Sequence, residues 1–97
     1  FDGARGFNGL APDLLAHCER VNRSARALML TPTVAASDMV EIVAEGLKVC
    51  GPDDAVYIRP TYWGIHGDTT AIVPSADEVG FAIVLVDSRK FSVMLIT

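Results

Sequence analysis

"AVYIRPTYW", residues 55–63, is the stretch on which the fold turns. Its residues change direction at every step, with Val56 and Ile58 pointing one way and Tyr57 and Arg59 the other. A period of two is that of a strand whose faces meet different surroundings. Pro60 has no N–H to give, so it puts the strand at a sheet edge or ends its ladder there. Arg59 lies between Tyr57 and Tyr62 in this otherwise apolar run. A buried, unpaired guanidinium would cost several kcal/mol. It therefore needs either a protein carboxylate or a carboxylate or phosphate ligand, which a guanidinium grips through two parallel N–H bonds.

Working outward, Phe1 to Phe7 also alternates. Phe1, Gly3, Arg5 and Phe7 share one face, and Asp2, Ala4 and Gly6 the other. "NGLAPD" reads as a turn or short loop. A helix begins between Asp13 and His17. Its apolar residues Leu14, Cys18, Val21, Ala25 and Leu28 are spaced 4, 3, 4 and 3 apart. After the break at Pro32, a second helix is expected from Asp38 to about Val49, with Ser37 as N-cap and Asp38 at the positive end of the dipole. Met39, Ile42, Val43, Leu47 and Cys50 make its stripe, and Gly51 with Pro52 ends it. Gly64 to Asp77 reads as a loop, Gly80 to Val86 as a buried strand, and "SRKFSVMLIT" as a fourth strand after a turn. The order is strand, helix, helix and three strands. That is an α+β domain with a largely antiparallel sheet and two helices packed on one face.

The 97 residues suit one domain or part of one. With 51% hydrophobic residues and a mean hydropathy of +0.35, some apolar surface is expected to lie under another domain or subunit. A net charge of −4 argues against nucleic acid as a partner, because phosphate binding needs clustered Lys and Arg. No apolar run is long enough to span a bilayer. Two cysteines without CxxC spacing read as reduced, buried thiols of a cytoplasmic protein.

The reactive side chains form no familiar catalytic pattern. His17, Cys18, Cys50 and His66 lie 1, 32 and 16 residues apart, which fits no zinc spacing, so no metal site is expected. No GxSxG elbow supports a serine nucleophile. Gly3, Gly6 and Gly9 give GxxGxxG on a strand, not the dinucleotide loop. Bare positions on a strand serve a bulge, tight packing, or the close approach of a ligand or another backbone. Arg20, Arg23 and Arg26 read as a solvated helix face. Lys48 closes a helix and Lys90 lies in a polar turn. Neither is in the desolvated setting of a covalent catalyst, so no catalytic residue is assigned.

Three stretches in register resemble the class IV (fold-type IV) pyridoxal-phosphate aminotransferases, and within them the branched-chain amino-acid aminotransferase group. "FDGARGF" is similar to the family's Phe-Glu-Gly-Ile-Arg-Ala-Tyr strand, with Asp2 for the glutamate and Ala4 for the isoleucine. "HCERVNRSARAL" resembles its His-x-x-Arg-Leu-x-x-Ser-Ala helix start, and "AVYIRPTYWG" its Tyr-Ile-Arg-Pro strand. The likeness runs from residue 1 to about 86 and fades after Val86. It implies that Arg20 binds the cofactor phosphate. Phe1, Gly3 and Arg5 would line the substrate pocket, and Tyr57 with Arg59 would recognise the substrate. The implied reaction moves an amino group between leucine, isoleucine or valine and 2-oxoglutarate, with amino acids and 2-oxo acids as partners, in a homodimer. Residues 1–97 are then part of the small N-terminal domain, and the large domain bearing the cofactor-linking lysine lies outside this stretch, which by itself is expected to be inactive. D-amino-acid aminotransferase and aminodeoxychorismate lyase share that fold and stay open as readings, as does a non-catalytic interaction module.

Overall fold

The structure is a computed structural model that describes residues 1–7, 10–49, 55–65 and 79–87, together with the backbone of 92–96. Strand β1 (Ala4–Gly6) is followed by helices α1 (Leu14–Ala27) and α2 (Ala36–Leu47). Strands β2 (Val56–Gly64), β3 (Val79–Asp87) and β4 (Ser92–Ile96) complete the order. The strands form one sheet in the order β1-β2-β3-β4, antiparallel throughout. This is the α+β architecture the periodicities require.

One face of the sheet and both helices share a core. Ala4, Val56, Ile58, Ile83 and Leu85 from the strands meet Leu14, Cys18, Val21 and Ala25 of α1 and Met39 and Val43 of α2. Burial along β1 and β2 follows the parity of the sequence. Asp2, Ala4 and Gly6 are buried while Phe1 and Arg5 are exposed, and Val56, Ile58, Pro60 and Tyr62 are buried beneath the helices. Tyr62 therefore does not flank Arg59, because an odd step along the strand sends it to the opposite face.

Pro60 is not at an edge, since β2 lies between β1 and β3. Its carbonyl accepts a hydrogen bond from the Asp2 N–H at 3.2 Å, which shows that its backbone polar groups face β1. In an antiparallel ladder the N–H and C=O of a residue point to the same side. The missing donor thus falls where the named pairing with β1, Ala4↔Ile58 to Gly6↔Val56, has already stopped. Pairing with β3 runs unbroken from Val56↔Asp87 to Gly64↔Val79.

The helix ends differ from expectation at three points. Helix α2 starts two residues early, because the Asp38 and Met39 N–H groups both donate to Ala35 O at 3.0 and 3.1 Å. Ala35 is the N-cap, and Ser37 lies inside the first turn and caps nothing. The same helix stops at Leu47. Val49 closes only a tighter turn onto Gly46 O, and the expected stop at Gly51 and Pro52, like Cys50, lies outside the described residues. Leu28 is the C-cap of α1 and is 67% exposed, so it leaves the stripe. Beyond it Met29 adopts φ 63, Leu30 N–H bonds to Ala25 O at 2.8 Å and Met29 N–H to Arg26 O at 3.0 Å. That pair of bonds is a Schellman ending, with methionine where glycine is usual.

Candidate functional site

The face of the sheet away from the helices carries the residues that the sequence singles out. The register puts Arg5 opposite Tyr57, and parity brings Phe1, Gly3 and Arg59 to the same side. The Arg59 guanidinium carbon lies 4.2 Å from the Phe1 ring centroid and 5.4 Å from that of Tyr57. Its Nη2 points at Tyr57 Oη from 3.5 Å. Its Nε is buried, and among the described residues it has no hydrogen-bond partner and no carboxylate pairs with it. Of the two partners open to Arg59, the protein carboxylate is therefore not found among the described residues. Aromatic faces hold the guanidinium plane and leave its N–H edges for an anion.

Gly3 lies under the Tyr57 ring. A Cβ there would stand 2.6 Å from Tyr57 Oη, so the bare position is what lets the ring cross β1. Gly6 faces the core instead, where a Cβ would meet Ile58, Leu10 and Leu47 at 3.4 Å. Gly9 lies outside the described residues. Arg5, Gly6, Phe7, Ala55, Val56 and Tyr57 line a cavity of about 460 Å³ at one end of this region. Phe1, Phe7 and Trp63 are large apolar side chains about half or more exposed on the same face.

Arg20 belongs to a separate cluster on the helix side of β1. Asp2, only 8% exposed, takes Arg20 Nη2 on Oδ1 at 2.7 Å and Arg20 Nε on Oδ2. The same Oδ1 accepts the Gly3 N–H at 2.8 Å and lies 3.0 Å from His17 Nδ1. His17 Nδ1 is also 2.9 Å from Arg20 Nη2, and a proton on it is donated to the carboxylate, the only acceptor of the two. Arg20 holds the Asp2 carboxyl well below the usual carboxylate range, against the opposing pull of burial and with help from His17 and Gly3 N–H. The same contact raises Arg20. Arg20 is nevertheless 55% exposed, and among the described residues nothing engages its Nη1.

Sequence reasoning missed Asp2 and His17 as partners of Arg20. Two signals were available: a carboxylate on the inward parity of a strand needs a cation, and His17 and Arg20, three apart on a helix, share a face. It also missed the link between α1 and β2. Tyr62 O–H donates to Asn22 Oδ1 at 2.9 Å and accepts from Val34 N–H at 3.2 Å, while Asn22 Nδ2 donates to Val34 O at 3.0 Å. Cys18 is a buried free thiol, pushed up to about 11 chiefly by burial and further by the Asp2 charge. Lys48 is exposed and paired with Glu45 at 2.9 Å, and Lys90 lies outside the described residues. Among the described residues no three His, Cys, Asp or Glu gather to hold a metal ion, and no helix is long and apolar enough to cross a membrane.

Comparison with known proteins fits this arrangement. The family model described as amino-transferase class IV matches residues 1–92. The crystal structure of an aminotransferase from Brucella abortus bound to the cofactor PLP is 49% identical, with a TM-score of 0.83. The match covers 89% of this chain and 31% of that one, so the chain spans about a third of that enzyme's length. No curated protein matches the chain. A family model that runs through both strands of the open face and the whole Asp2–His17–Arg20 cluster leaves one assignment: the chain belongs to the class IV aminotransferases.

Proposed function

We propose that this chain is the small-domain part of a branched-chain amino-acid aminotransferase that uses pyridoxal phosphate. The reaction would exchange an amino group between leucine, isoleucine or valine and 2-oxoglutarate. The observation that carries this reading is Arg59, with its Nε buried and unpartnered among the described residues and the Phe1 and Tyr57 rings against its guanidinium. Such a face accepts two kinds of side chain. An aliphatic group packs on the rings, and a carboxylate takes the guanidinium edge.

The residues present also suit the cofactor's phosphate. Arg20 is half exposed with Nη1 unengaged among the described residues, and its other edge is fixed by Asp2. A guanidinium in that state offers two N–H donors to a phosphate oxygen. When bound, pyridoxal phosphate supplies the electron sink for charge left on the substrate α-carbon. The part played by this chain is binding and orientation. Arg20 anchors the phosphate, Arg59 takes the carboxylate of glutamate or 2-oxoglutarate, and Tyr57 fixes the angle of Arg59. Phe1 shields that pair from water, while Gly3 and Arg5 shape the pocket floor. The cofactor-linking lysine belongs to a larger second domain in this reading, and we place the whole enzyme in the cytoplasm as a homodimer.

Replacing Arg59 with alanine in the complete enzyme separates the two substrate types. KM for glutamate is expected to rise on the order of a hundredfold, the loss of a charge-assisted bidentate contact, with KM for leucine rising only a few-fold. Equal effects on both substrates would remove Arg59 from carboxylate recognition.

A further inference from the structure

We propose that Asp2 is a positioning residue for the cofactor phosphate, gripping Arg20 along Nε and Nη2 so that Nη1 is the edge offered to the anion. The inference rests on the reading of Arg20 as the phosphate anchor. Its support is the asymmetry of the pair. Asp2 is almost wholly buried and engaged by Gly3 N–H, His17 and two nitrogens of Arg20, whereas Arg20 is 55% exposed and its Nη1 is unengaged among the described residues. The pair stabilises the charged carboxylate, but that alone asks nothing of the outer edge of Arg20. Holding an arginine before its anion arrives has a different use. An unheld guanidinium gives up rotamer entropy when it is fixed, and here that loss is taken on folding.

Asp2 also sets where the held arginine sits relative to the open face. Its neighbours Phe1 and Gly3 lie on that face, against Arg59 and Tyr57 respectively. Fixing Arg20 to residue 2 therefore fixes the phosphate anchor against the substrate strand within one residue. The carboxylate's negative charge opposes a phosphate, and the His17 and Gly3 bonds to Oδ1 take up part of it.

The test is a double-mutant cycle on cofactor affinity in the complete protein. Apo-protein is titrated with pyridoxal phosphate, dissociation constants are read from cofactor absorbance, and the bound phosphate is followed by its phosphorus resonance. Asp2→Asn is expected to weaken binding about tenfold, one well-aimed charge-assisted bond, and to shift the resonance. In an Arg20→Ala background the same change should cost less than about twofold, because the effect acts through Arg20. Equal losses in both backgrounds overturn the proposal, and so does tighter binding by Asp2→Asn, which would make Asp2 a competitor of the phosphate. If Asp2→Asn does not fold, Asp2→Glu decides. It keeps the charge and moves the carboxylate by one methylene, so affinity should stay within about threefold while the resonance shifts. An unmoved resonance overturns the proposal. Wild-type protein that takes up no cofactor refutes instead the underlying reading of the site.

Discussion

Replacing Gly3 with alanine would set a methyl carbon 2.6 Å from Tyr57 Oη, 3.0 Å from Cε2 and 3.1 Å from Cζ. Three contacts along one edge of the ring cannot all be relieved by a small shift, so the ring must swing away from β1. Leaving its rotamer well costs about 0.5–1.5 kcal/mol. The swing also weakens the stacking of Tyr57 on Arg59, which at a half-exposed site is worth about 0.5–1 kcal/mol. Together these amount to roughly 1–2.5 kcal/mol, and under the proposed substrate role of Tyr57 and Arg59 to a rise in KM of roughly five- to sixtyfold. The assay is steady-state kinetics of the complete enzyme with leucine and with glutamate, beside a cofactor titration. Cofactor affinity is expected to stay within about twofold, because Arg20 meets Asp2 on the other side of the strand. Adding Tyr57→Phe removes the closest atom and should restore part of the loss. Unchanged KM values would show that the ring's place over Gly3 is not what the substrate reads. A fall in cofactor affinity in step with KM would show that the two faces are not separate.

Two further outcomes concern the scaffold. Met29→Gly is expected to stabilise the protein by about 1 kcal/mol in urea unfolding, since φ 63 strains a methionine and its exposed side chain packs little. No gain would mean that the side chain repays the strain. For Cys18, the folded thiol lies at about 11 against an ordinary 9.0, so the neutral form is favoured by folding. Stability should be full below about pH 9 and decline as pH climbs toward about 11. Tyr62, also raised by burial, adds a decline in the same direction, starting from its ordinary 10.0. Cys18→Ala should flatten the part of the decline nearest pH 9, and an unchanged slope would sink the assignment.

What the sequence revealed and what it hid follow from the range of the interactions involved. Parity in residues 1–7 and 55–63 is local, and it separated Ala4, Val56 and Ile58 from Phe1, Gly3 and Arg59 without any knowledge of the helices. Closeness along the chain groups Tyr62 with Arg59, although the same parity sends it to the core. Its hydroxyl partner Asn22 is forty positions away, and the apolar stripe of α1 gave no reason to bury an amide. The helix ends failed for a related reason. Ser37 had the right chemistry for a cap, but the Ala35 carbonyl closed the first turn two residues sooner. Leu28 satisfied the helical spacing, yet the reversal at Met29 turned it outward. Spacing records which face a residue would occupy if the helix went on, and says nothing about where the backbone stops.

The shortest element of the fold serves both of the faces just described. Strand β1 has three residues, and it ends beside Pro60, whose nitrogen has no proton to extend the ladder. A longer pairing would lock residues 1–3 into the sheet by backbone bonds alone. Instead they are held by what their side chains and one amide reach. Asp2 turns inward to Arg20, Phe1 turns outward over Arg59, and Gly3 leaves room for Tyr57. Burying the Asp2 carboxylate carries a desolvation cost that Arg20 more than offsets, and leaving Arg59 Nε without an acceptor among the described residues carries another. Both costs fall on the residues around β1 that the class IV likeness marks, one on each face. In the proposed reading, where Arg20 anchors a phosphate and Arg59 a carboxylate, residues 1–3 set those two groups against each other across β1.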